Sequence, residues 1–280
     1  MFDNLLSRLN RRETLAMLGA IAARSVTGAP DASLRFSCLD HLAIAAADTE
    51  KSVAFYSRVF GHDVLKDSRT PRRYFKIGNG YIAIAPPAQG QAASRVDHIC
   101  AGIVGFSQAA TKSYLDDRGI SSRETNVGRY VTDPDGIQVQ LWAENSWKEL
   151  KNGSPEAAAG SEAPVFRPLG LDHILLRASD MERSAAFYQK VFGVAPQRTA
   201  TPQRIWFQIG SGRLGLSPVG AGPGVDHFCV AVASYDRGTM AKMLQDRGAT
   251  IERGESPGSE MFRDLDGLLV QVTVPKSAAK

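Results

Sequence analysis

The hydrophobic pattern of the chain repeats four times. Each repeat opens with a short apolar run that contains an Asp-His pair, and each run has the length and residue types of a β-strand. The four pairs are Asp40-His41, Asp97-His98, Asp172-His173 and Asp226-His227. His41 and His173 are 132 positions apart, His98 and His227 are 129 positions apart, and residues around them recur at the same offsets. The chain is therefore predicted to be an internal duplication of a two-module unit.

A helix is predicted after the first strand of each half. From Asp48 to Phe60 the apolar residues follow helical spacing, with Phe55 and Val59 four positions apart, and Gly61 follows as a C-terminal cap. In the second half the sequence Ser179–Glu182 has the form of a capping box, which predicts Ser179 as the residue that caps the helix N-terminus.

Further strands are predicted after this helix. The segments Tyr74–Ile77 and Tyr81–Ile84 are joined through Gly78–Gly80, which is a hairpin signal. The acidic turn Asp133–Gly136 precedes the last strand of the first half, and Asp264–Gly267 occupies the same place in the second. Each half is thus predicted to run strand, helix, then strands, so the fold class is α+β.

The composition narrows the range of functions. A length of 280 residues suits two domains, and 43% hydrophobic with 22% charged residues is ordinary for a globular protein. Part of the net charge of +4 lies in the N-terminal segment, and the remainder contains no Lys/Arg run, so no nucleic-acid partner is predicted. Cys100 and Cys229 recur in matching apolar strands, which favours buried thiols over a disulfide framework.

The N-terminal segment is typical of an export signal. Arg11 and Arg12 precede a short apolar stretch, Leu15–Ala23, which cannot span a bilayer as a stable helix. A twin-arginine pair before a weak hydrophobic region resembles a Tat signal, so residues 1–32 are predicted to be a signal and leader that direct the protein to the periplasm. A solvated amphipathic helix is the alternative interpretation.

These motifs together resemble the vicinal-oxygen-chelate superfamily, which includes glyoxalases, bleomycin-resistance proteins and extradiol dioxygenases. The resemblance rests on the apolar strands with Asp-His, the Phe-Tyr pair in a helix that ends at Gly, and the Asp-Pro-Asp-Gly turn. It implies that each half is one domain of two βαβββ modules whose mixed sheet curls around a cavity. The predicted domains are residues 37–145 and 168–275, with a flexible linker at 146–167 and a tail at 276–280.

The resemblance also implies a candidate metal site in each half. Imidazole suits a divalent Fe, Mn, Ni, Co or Zn ion, and side chains alternate along a strand, so the histidines are predicted to face the cavity and the preceding aspartates to face away. Metal-using members take a Glu from the last strand as the third ligand, and Gln stands at that position here. The predicted ligand sets are His41, His98 and Gln140 in the first half and His173, His227 and Gln271 in the second. Two alternatives stay open: ligands exchanged between the halves, and a metal-free pocket in which the Gln amide donates to a neutral imidazole.

Tyr130 is the candidate catalytic residue. It lies ten residues before Gln140, where ring-cleaving dioxygenases of the superfamily carry a Tyr that contacts substrate, and Met261 takes its place in the second half. We therefore predict a metal-dependent enzyme, glyoxalase-like or dioxygenase-like, that acts on a small oxygenated molecule. One alternative is a non-catalytic binding or sequestering protein of the bleomycin-resistance type, which the loss of both glutamates favours. Another is a structural scaffold, whose cavities would be filled by large side chains.

Overall fold

Each half of the chain folds as two βαβββ modules. The computed structural model describes residues 33–156, 162–220, 222–254 and 259–275. The first half consists of β1 (Phe36–Ala45), α1 (Thr49–Phe60), β2 (Val64–Asp67), β3 (Arg73–Ile77), β4 (Gly80–Ala85), β5 (Arg95–Ile103), α2 (Gln108–Asp116), β6 (Arg123–Thr125), β7 (Gly128–Thr132), β8 (Gln138–Ala143) and β9 (Gly153–Glu156). The second half consists of β10 (Pro168–Ala178), α3 (Met181–Phe192), β11 (Gln197–Ala200), β12 (Gln203–Ile209), β13 (Gly212–Pro218), β14 (Gly224–Val232), α4 (Arg237–Asp246), β15 (Thr250–Glu252), β16 (Ser259–Arg263) and β17 (Leu269–Thr273).

The two modules of each half join into one mixed sheet. The first sheet has nine strands in the order β6-β7-β8-β5-β1-β4-β3-β2-β9, and the second has eight in the order β11-β12-β13-β10-β14-β17-β16-β15. The strands that open the two modules pair antiparallel at the centre of each sheet, β1 with β5 and β10 with β14. Each of them also pairs parallel with the last strand of its own module. The predicted α+β class with two tandem domains is confirmed, and the repeated histidines lie on adjacent central strands.

The first helix of each half is capped by an aspartate. Asp48 precedes α1 and its carboxylate accepts a hydrogen bond from an amide of the first turn, while Gly61 follows the last residue with φ 121°. Asp180 precedes α3 and accepts hydrogen bonds from two amides of the first turn, both at 3.0 Å. The prediction of Ser179 as the capping residue is therefore wrong, because the carboxylate one position later satisfies the free amides of the helix.

Part of the segment predicted as a flexible linker is ordered. Residues Ser146–Glu149 form a short 3-10 helix, and β9 pairs antiparallel with β2. Strand β2 would otherwise be the edge of the sheet, with backbone N–H and C=O groups left unpaired, and the added strand satisfies one row of them. Composition indicated flexibility because it carries no information about this pairing partner.

The two halves share a hydrophobic core and bind each other reciprocally. One continuous cluster of buried apolar side chains includes strands and helices of both halves. The Tyr56 hydroxyl of α1 donates a hydrogen bond to Asp264 at 2.6 Å, and the Tyr188 hydroxyl of α3 donates one to Asp133 at 2.9 Å. All four residues are buried. The Phe-Tyr pair of each helix thus contacts the acidic turn of the opposite half.

Two predicted segments lie outside the described residues, namely the signal and leader at 1–32 and the tail at 276–280. Within the described ranges, none of the helices combines the length and the apolar character required to cross a bilayer. Export through the Tat pathway stays a prediction.

Candidate metal centres

A β-bulge at each Asp-His pair places a carboxylate beside an imidazole. The pairing of β1 with β5 skips Asp40 and Asp97, and the pairing of β10 with β14 skips Asp172 and Asp226. Each skipped carboxylate lies against Nδ1 of the histidine that follows it, at 2.8, 3.0, 2.6 and 2.8 Å in chain order. The prediction that these aspartates face away from the site is therefore wrong, because a bulge interrupts the alternation of side chains along the strand.

This contact selects the tautomer of the neutral imidazole. An ionised carboxylate accepts hydrogen bonds only, so Nδ1 carries the ring proton and Nε2 presents a lone pair. Burial lowers the pKa of His98 to about 4 and also lowers the pKa of His173, which keeps both rings neutral near pH 7. A neutral imidazole with a free Nε2 lone pair is the form that binds a metal ion.

In the second half the three predicted ligand atoms converge. Nε2 of His173 lies 3.2 Å from Nε2 of His227 and 3.0 Å from Oε1 of Gln271, and all three residues are buried. With the ring protons on Nδ1, these atoms face one another as lone pairs. Adjacent ligands of a metal ion with bonds of about 2.1 Å are about 3.0 Å apart in octahedral geometry, so the observed spacing fits a divalent cation.

The first half brings its ligand set together less tightly. Nε2 of His41 lies 2.9 Å from Oε1 of Gln140, and the amide nitrogen of Gln140 donates to the carbonyl of Val127. That bond turns the amide oxygen toward the imidazole, which contradicts a metal-free arrangement in which the Gln donates to the ring. The rings of His41 and His98 are 5.8 Å apart between centroids, against 5.3 Å for the second pair. In both halves all three candidate ligands come from one sheet, so they are not exchanged between halves.

Two tyrosines accompany the first-half histidines. The ring of Tyr81 stacks on His41 at 4.2 Å, with its hydroxyl 3.4 Å from Nε2. The hydroxyl of Tyr130, the predicted catalytic residue, lies 3.5 Å from Nε2 of His98. Sequence analysis missed Tyr81, although the repeat offset aligns it with Arg213 and so marks a position where the two halves differ.

The aspartates behind the two sites have different neighbours. Asp40 is buried and accepts hydrogen bonds from the backbone amide of Ser146, at 3.1 Å, and from the Ser146 hydroxyl. Asp172 is paired instead with Arg213 at 3.1 Å, and Asp226 with Arg177 at 2.9 Å. Ser146 was missed because it lies in the segment predicted to be a linker.

The repeated spacing between the histidines and the cysteines also brings a thiol near each candidate site. Ligand atoms of Asp40, His41 and Cys100 lie within 4.8 Å of one another, as do those of Asp172, His173 and Cys229. Burial raises the pKa of both cysteines, which keeps them as thiols, and the carboxylates are already engaged by Nδ1. The Nε2 side of each histidine is therefore the better metal site. Cys100 and Cys229 are free and buried, as predicted, and Cys38 is free as well.

The halves also differ in the side chains that surround the space next to the histidine-bearing strands. In the first half a cavity of about 280 Å³ is lined by Ala43 and Ala83, which pair directly across β1 and β4. The corresponding residues of the second half are Leu175 and Gly215, which also pair directly. A Cβ on Gly215 would lie 2.5 Å from the Trp206 ring, so the indole rests on this glycine. Large side chains therefore fill this part of the second half, as a scaffold would require, while the first half keeps its cavity.

Comparison with known proteins identifies the fold and the family. The family model described as the Glyoxalase/Bleomycin resistance protein/Dioxygenase superfamily matches residues 38–141 and 170–272. The structure is similar to a catechol 2,3-dioxygenase (14% identity, TM-score 0.65, covering 86% of this chain and 89% of the other). It is also similar to the 2,3-dioxygenase LapB from Pseudomonas sp. KL28 (16%, 0.66, 87% and 94%) and to the Mn(II)-bound glyoxalase from Novosphingobium aromaticivorans (15%, 0.62, 86% and 83%). Among curated protein sequences, none shows significant similarity to the chain.

The duplicated βαβββ sheets with paired central histidines define a protein of the vicinal-oxygen-chelate class. Because the matched segments cover well over half of the sequence, the chain belongs to the glyoxalase, bleomycin-resistance and dioxygenase superfamily. At these levels of identity the similar structures establish the fold, and the activity is argued from the site.

Proposed function

We propose that the protein is a metal-dependent enzyme of this superfamily that acts on a small oxygenated molecule. The observation that carries the proposal is the convergence of His173, His227 and Gln271 in the second half, at 3.0 and 3.2 Å. A divalent ion held there would supply a Lewis acid with open positions for two substrate oxygens. The aspartates at Nδ1 hold both rings in the required tautomer and orientation.

The surroundings of the second-half site favour a small substrate. Trp206 stands beside His173, with ring centroids 5.5 Å apart, and Arg213 lies over the indole at 4.9 Å. These side chains restrict the space next to the candidate metal and place a guanidinium, itself paired with Asp172, at its margin. A compact, negatively polarised molecule such as an α-ketoaldehyde or a small dihydroxy compound fits these limits.

Metal content is the decisive test. We expect protein purified without tags or chelators to contain close to one equivalent of Fe, Mn, Ni, Co or Zn by plasma mass spectrometry, with loss of the metal in His173→Ala. His41→Ala is the matched control, since it removes the equivalent ligand of the first half. A wild-type protein that holds no metal even after reconstitution would refute the metalloenzyme proposal.

The control also decides which half carries the metal. Loss of metal in His41→Ala with retention in His173→Ala would move the centre to the first half, where Tyr130 would contact the substrate as proposed from the sequence. An activity screen against catechols and α-ketoaldehydes, run on the metal-loaded protein and on the variant that has lost metal, then tests catalysis directly.

A second candidate function is binding without chemistry. It is favoured by the open cavity of the first half, whose lining includes Asp97, the residue before His98. The Nε2 atoms of His41 and His98 have tyrosine hydroxyls within 3.5 Å. A protein that binds a ligand with equal affinity before and after chelation, and that converts none of the screened compounds, would support this function over catalysis.

Export through the Tat pathway is part of the proposal. It rests on the Arg11-Arg12 pair before a short apolar stretch. The measurement is cell fractionation of the wild type and of a variant in which both arginines are replaced by lysine. Periplasmic wild-type protein and cytoplasmic variant would support export, whereas equal distribution of the two would contradict it.

A further inference from the structure

The first-half cavity has a flat apolar floor. Ala43 and Ala45 of β1 lie opposite Ala83 and Ala85 of β4 in the parallel pairing, so four methyl groups form one even surface. Three prolines, Pro71, Pro86 and Pro87, complete the lining with rigid apolar walls. The volume of about 280 Å³ holds roughly nine groups the size of a water molecule, which corresponds to a small organic molecule.

The residues that form the floor of this cavity differ between the halves. Its floor residue Ala43 is replaced by Leu175 in the second half, and the indole of Trp206 covers Gly215, the counterpart of Ala83. The same fold can therefore fill this space with side chains and does so in one copy. The first half keeps this cavity open next to the Asp97-His98 pair, and so it lacks packing contacts that the fold can make.

One cation of the lining, Arg72, forms no ion pair with a described acid, although its side chain interacts with the Tyr74 hydroxyl. The neighbouring Arg73 is paired with two glutamates, whereas Arg72 has no ion pair among the described residues. Asp67 is close enough to interact with Arg72, but its oxygens accept hydrogen bonds from the Tyr74 hydroxyl at 3.0 Å and from two backbone amides. The positive charge of Arg72 also acts on His98 and contributes to the lowering of its pKa.

The negative charge of Asp97, the acid that lines the cavity, is already compensated. Asp97 accepts from Arg95 at 2.7 Å and from Nδ1 of His98 at 3.0 Å. The cavity therefore offers a half-buried guanidinium above an apolar floor, with the nearby carboxylates occupied. An arginine in such a setting binds a carboxylate through two parallel N–H···O bonds.

We propose that this cavity is a binding site for a small, flat, largely apolar monocarboxylate, with Arg72 as the residue that pairs with the carboxylate. The apolar body of the ligand lies on the alanine floor between the prolines. The site is separate from the metal centre proposed for the second half, so it goes beyond that function and does not depend on it.

The test uses benzoate as probe and benzamide as its uncharged isostere. Binding to the full-length protein is measured by isothermal titration and by ligand-observed NMR, before and after treatment with chelator. We expect saturable binding of benzoate in both preparations, with benzamide at least about tenfold weaker. Independence from chelation separates this site from a carboxylate bound to a metal ion.

Three variants locate the site. Arg72→Gln is expected to weaken benzoate binding by about 10- to 100-fold and to remove the preference over benzamide, since a charge-assisted pair is lost. Arg204→Gln, the equivalent change in the second half, is expected to leave binding unchanged. Ala83→Leu fills the floor and is expected to abolish binding of both probes, while thermal unfolding confirms that each variant is folded.

Several outcomes would overturn the proposal. One is a failure of benzoate, phenylacetate and hexanoate to bind at millimolar concentration; another is equal affinity of wild type and Arg72→Gln. Loss of binding in Arg204→Gln alone would place the site in the other half, and loss on chelation with retention in Arg72→Gln would assign the carboxylate to a metal. Metal content in the second half is measured separately, so failure of either proposal is recognised independently.

Discussion

The reciprocal contact between the halves gives a quantitative prediction. In Tyr188→Phe the Asp133 carboxylate loses a hydrogen bond of 2.9 Å and keeps two from backbone amides, at 2.9 and 2.7 Å. The substitution removes one oxygen and almost no apolar surface. A hydrogen bond to a buried charged group contributes about 1.5–3 kcal/mol, so we expect the free energy of unfolding to fall by about 2 kcal/mol at pH 7. For a unit of this size, that lowers Tm by about 4–8 °C.

The pH dependence of this loss follows from the direction of the pKa shift. Burial raises the pKa of Asp133 above its ordinary value, and the Tyr188 hydroxyl opposes that shift. A carboxyl with a raised pKa in the folded state contributes stability below its unfolded pKa, and this is lost as pH rises through the folded pKa. Removing the hydroxyl raises the folded pKa further. The variant should therefore lose least below pH 3.8, where the carboxyl is protonated and only a neutral hydrogen bond is removed, and fall further behind wild type as the pH increases.

The assay is thermal and urea unfolding followed by circular dichroism, at pH 7 and at the lowest pH where both proteins fold. Tyr56→Phe, which removes the 2.6 Å bond to Asp264, should behave in the same way. Tyr74→Phe is the control. Its acceptor, Asp67, lies near the surface, so this substitution should lower the free energy of unfolding by less than about 0.5 kcal/mol. A Tyr188→Phe loss below 0.5 kcal/mol at pH 7, or one that does not change with pH, would refute the reasoning.

Three further predictions concern the sites. Burial lowers the pKa of His98 from 6.5 to about 4, and between these values only the unfolded state binds the proton. The metal-free protein should therefore lose about 3 kcal/mol of stability as the pH falls through that window. Urea unfolding of chelated protein at pH 7 and pH 4.5 measures this loss, and equal stability at the two pH values would contradict it. Gln271→Glu places a charge 3.0 Å from Nε2 of a ligand histidine and should raise metal affinity about tenfold or more in chelator competition; unchanged affinity would argue against this residue as a ligand. Gly215→Ala puts a methyl group 2.5 Å from Trp206 and should cost about 1–3 kcal/mol with a shift in tryptophan fluorescence, whereas Ala83→Gly should leave that fluorescence unchanged.

Local spacing in the sequence was sufficient to predict the modules. The apolar runs, the helical spacing of Phe55 and Val59, and the hairpin glycines each depend on residues a few positions apart, and the structure places a strand, a helix and a hairpin there. The repeat then placed four histidines at equivalent positions of four strands, which the structure shows to be adjacent in pairs. Together with the family resemblance, the repeat was sufficient to group the candidate ligands by half.

The sequence pattern did not predict contacts between residues that are far apart in the chain. The bulges at Asp40 and its three counterparts arise from the register between two strands, which a hydrophobic pattern does not encode. The pairing of β9 with an edge strand joins segments about 90 residues apart, and Tyr56 contacts an acid 208 residues away. Both the Phe-Tyr pair and the acidic turn were recognised as motifs, but nothing local indicated that they bind each other across the halves.

With Gln rather than Glu at the third ligand position, the two candidate sites depend on different surroundings. In the second half the aspartates behind the histidines are each paired with an arginine, Arg213 or Arg177, so little negative charge is left to stabilise a cation. A metal ion there would depend on the close convergence of three neutral ligands. In the first half Asp97 is likewise paired with Arg95, whereas Asp40 is buried with a serine as neighbour, so one carboxylate charge is not neutralised by an arginine, but the histidine rings lie farther apart. Geometry thus favours a cation in the second half, and the charge of Asp40 favours one in the first. Because Asp40 and both first-half histidines are buried, and buried charges are screened far less than exposed ones, added salt should weaken metal binding little in the first half.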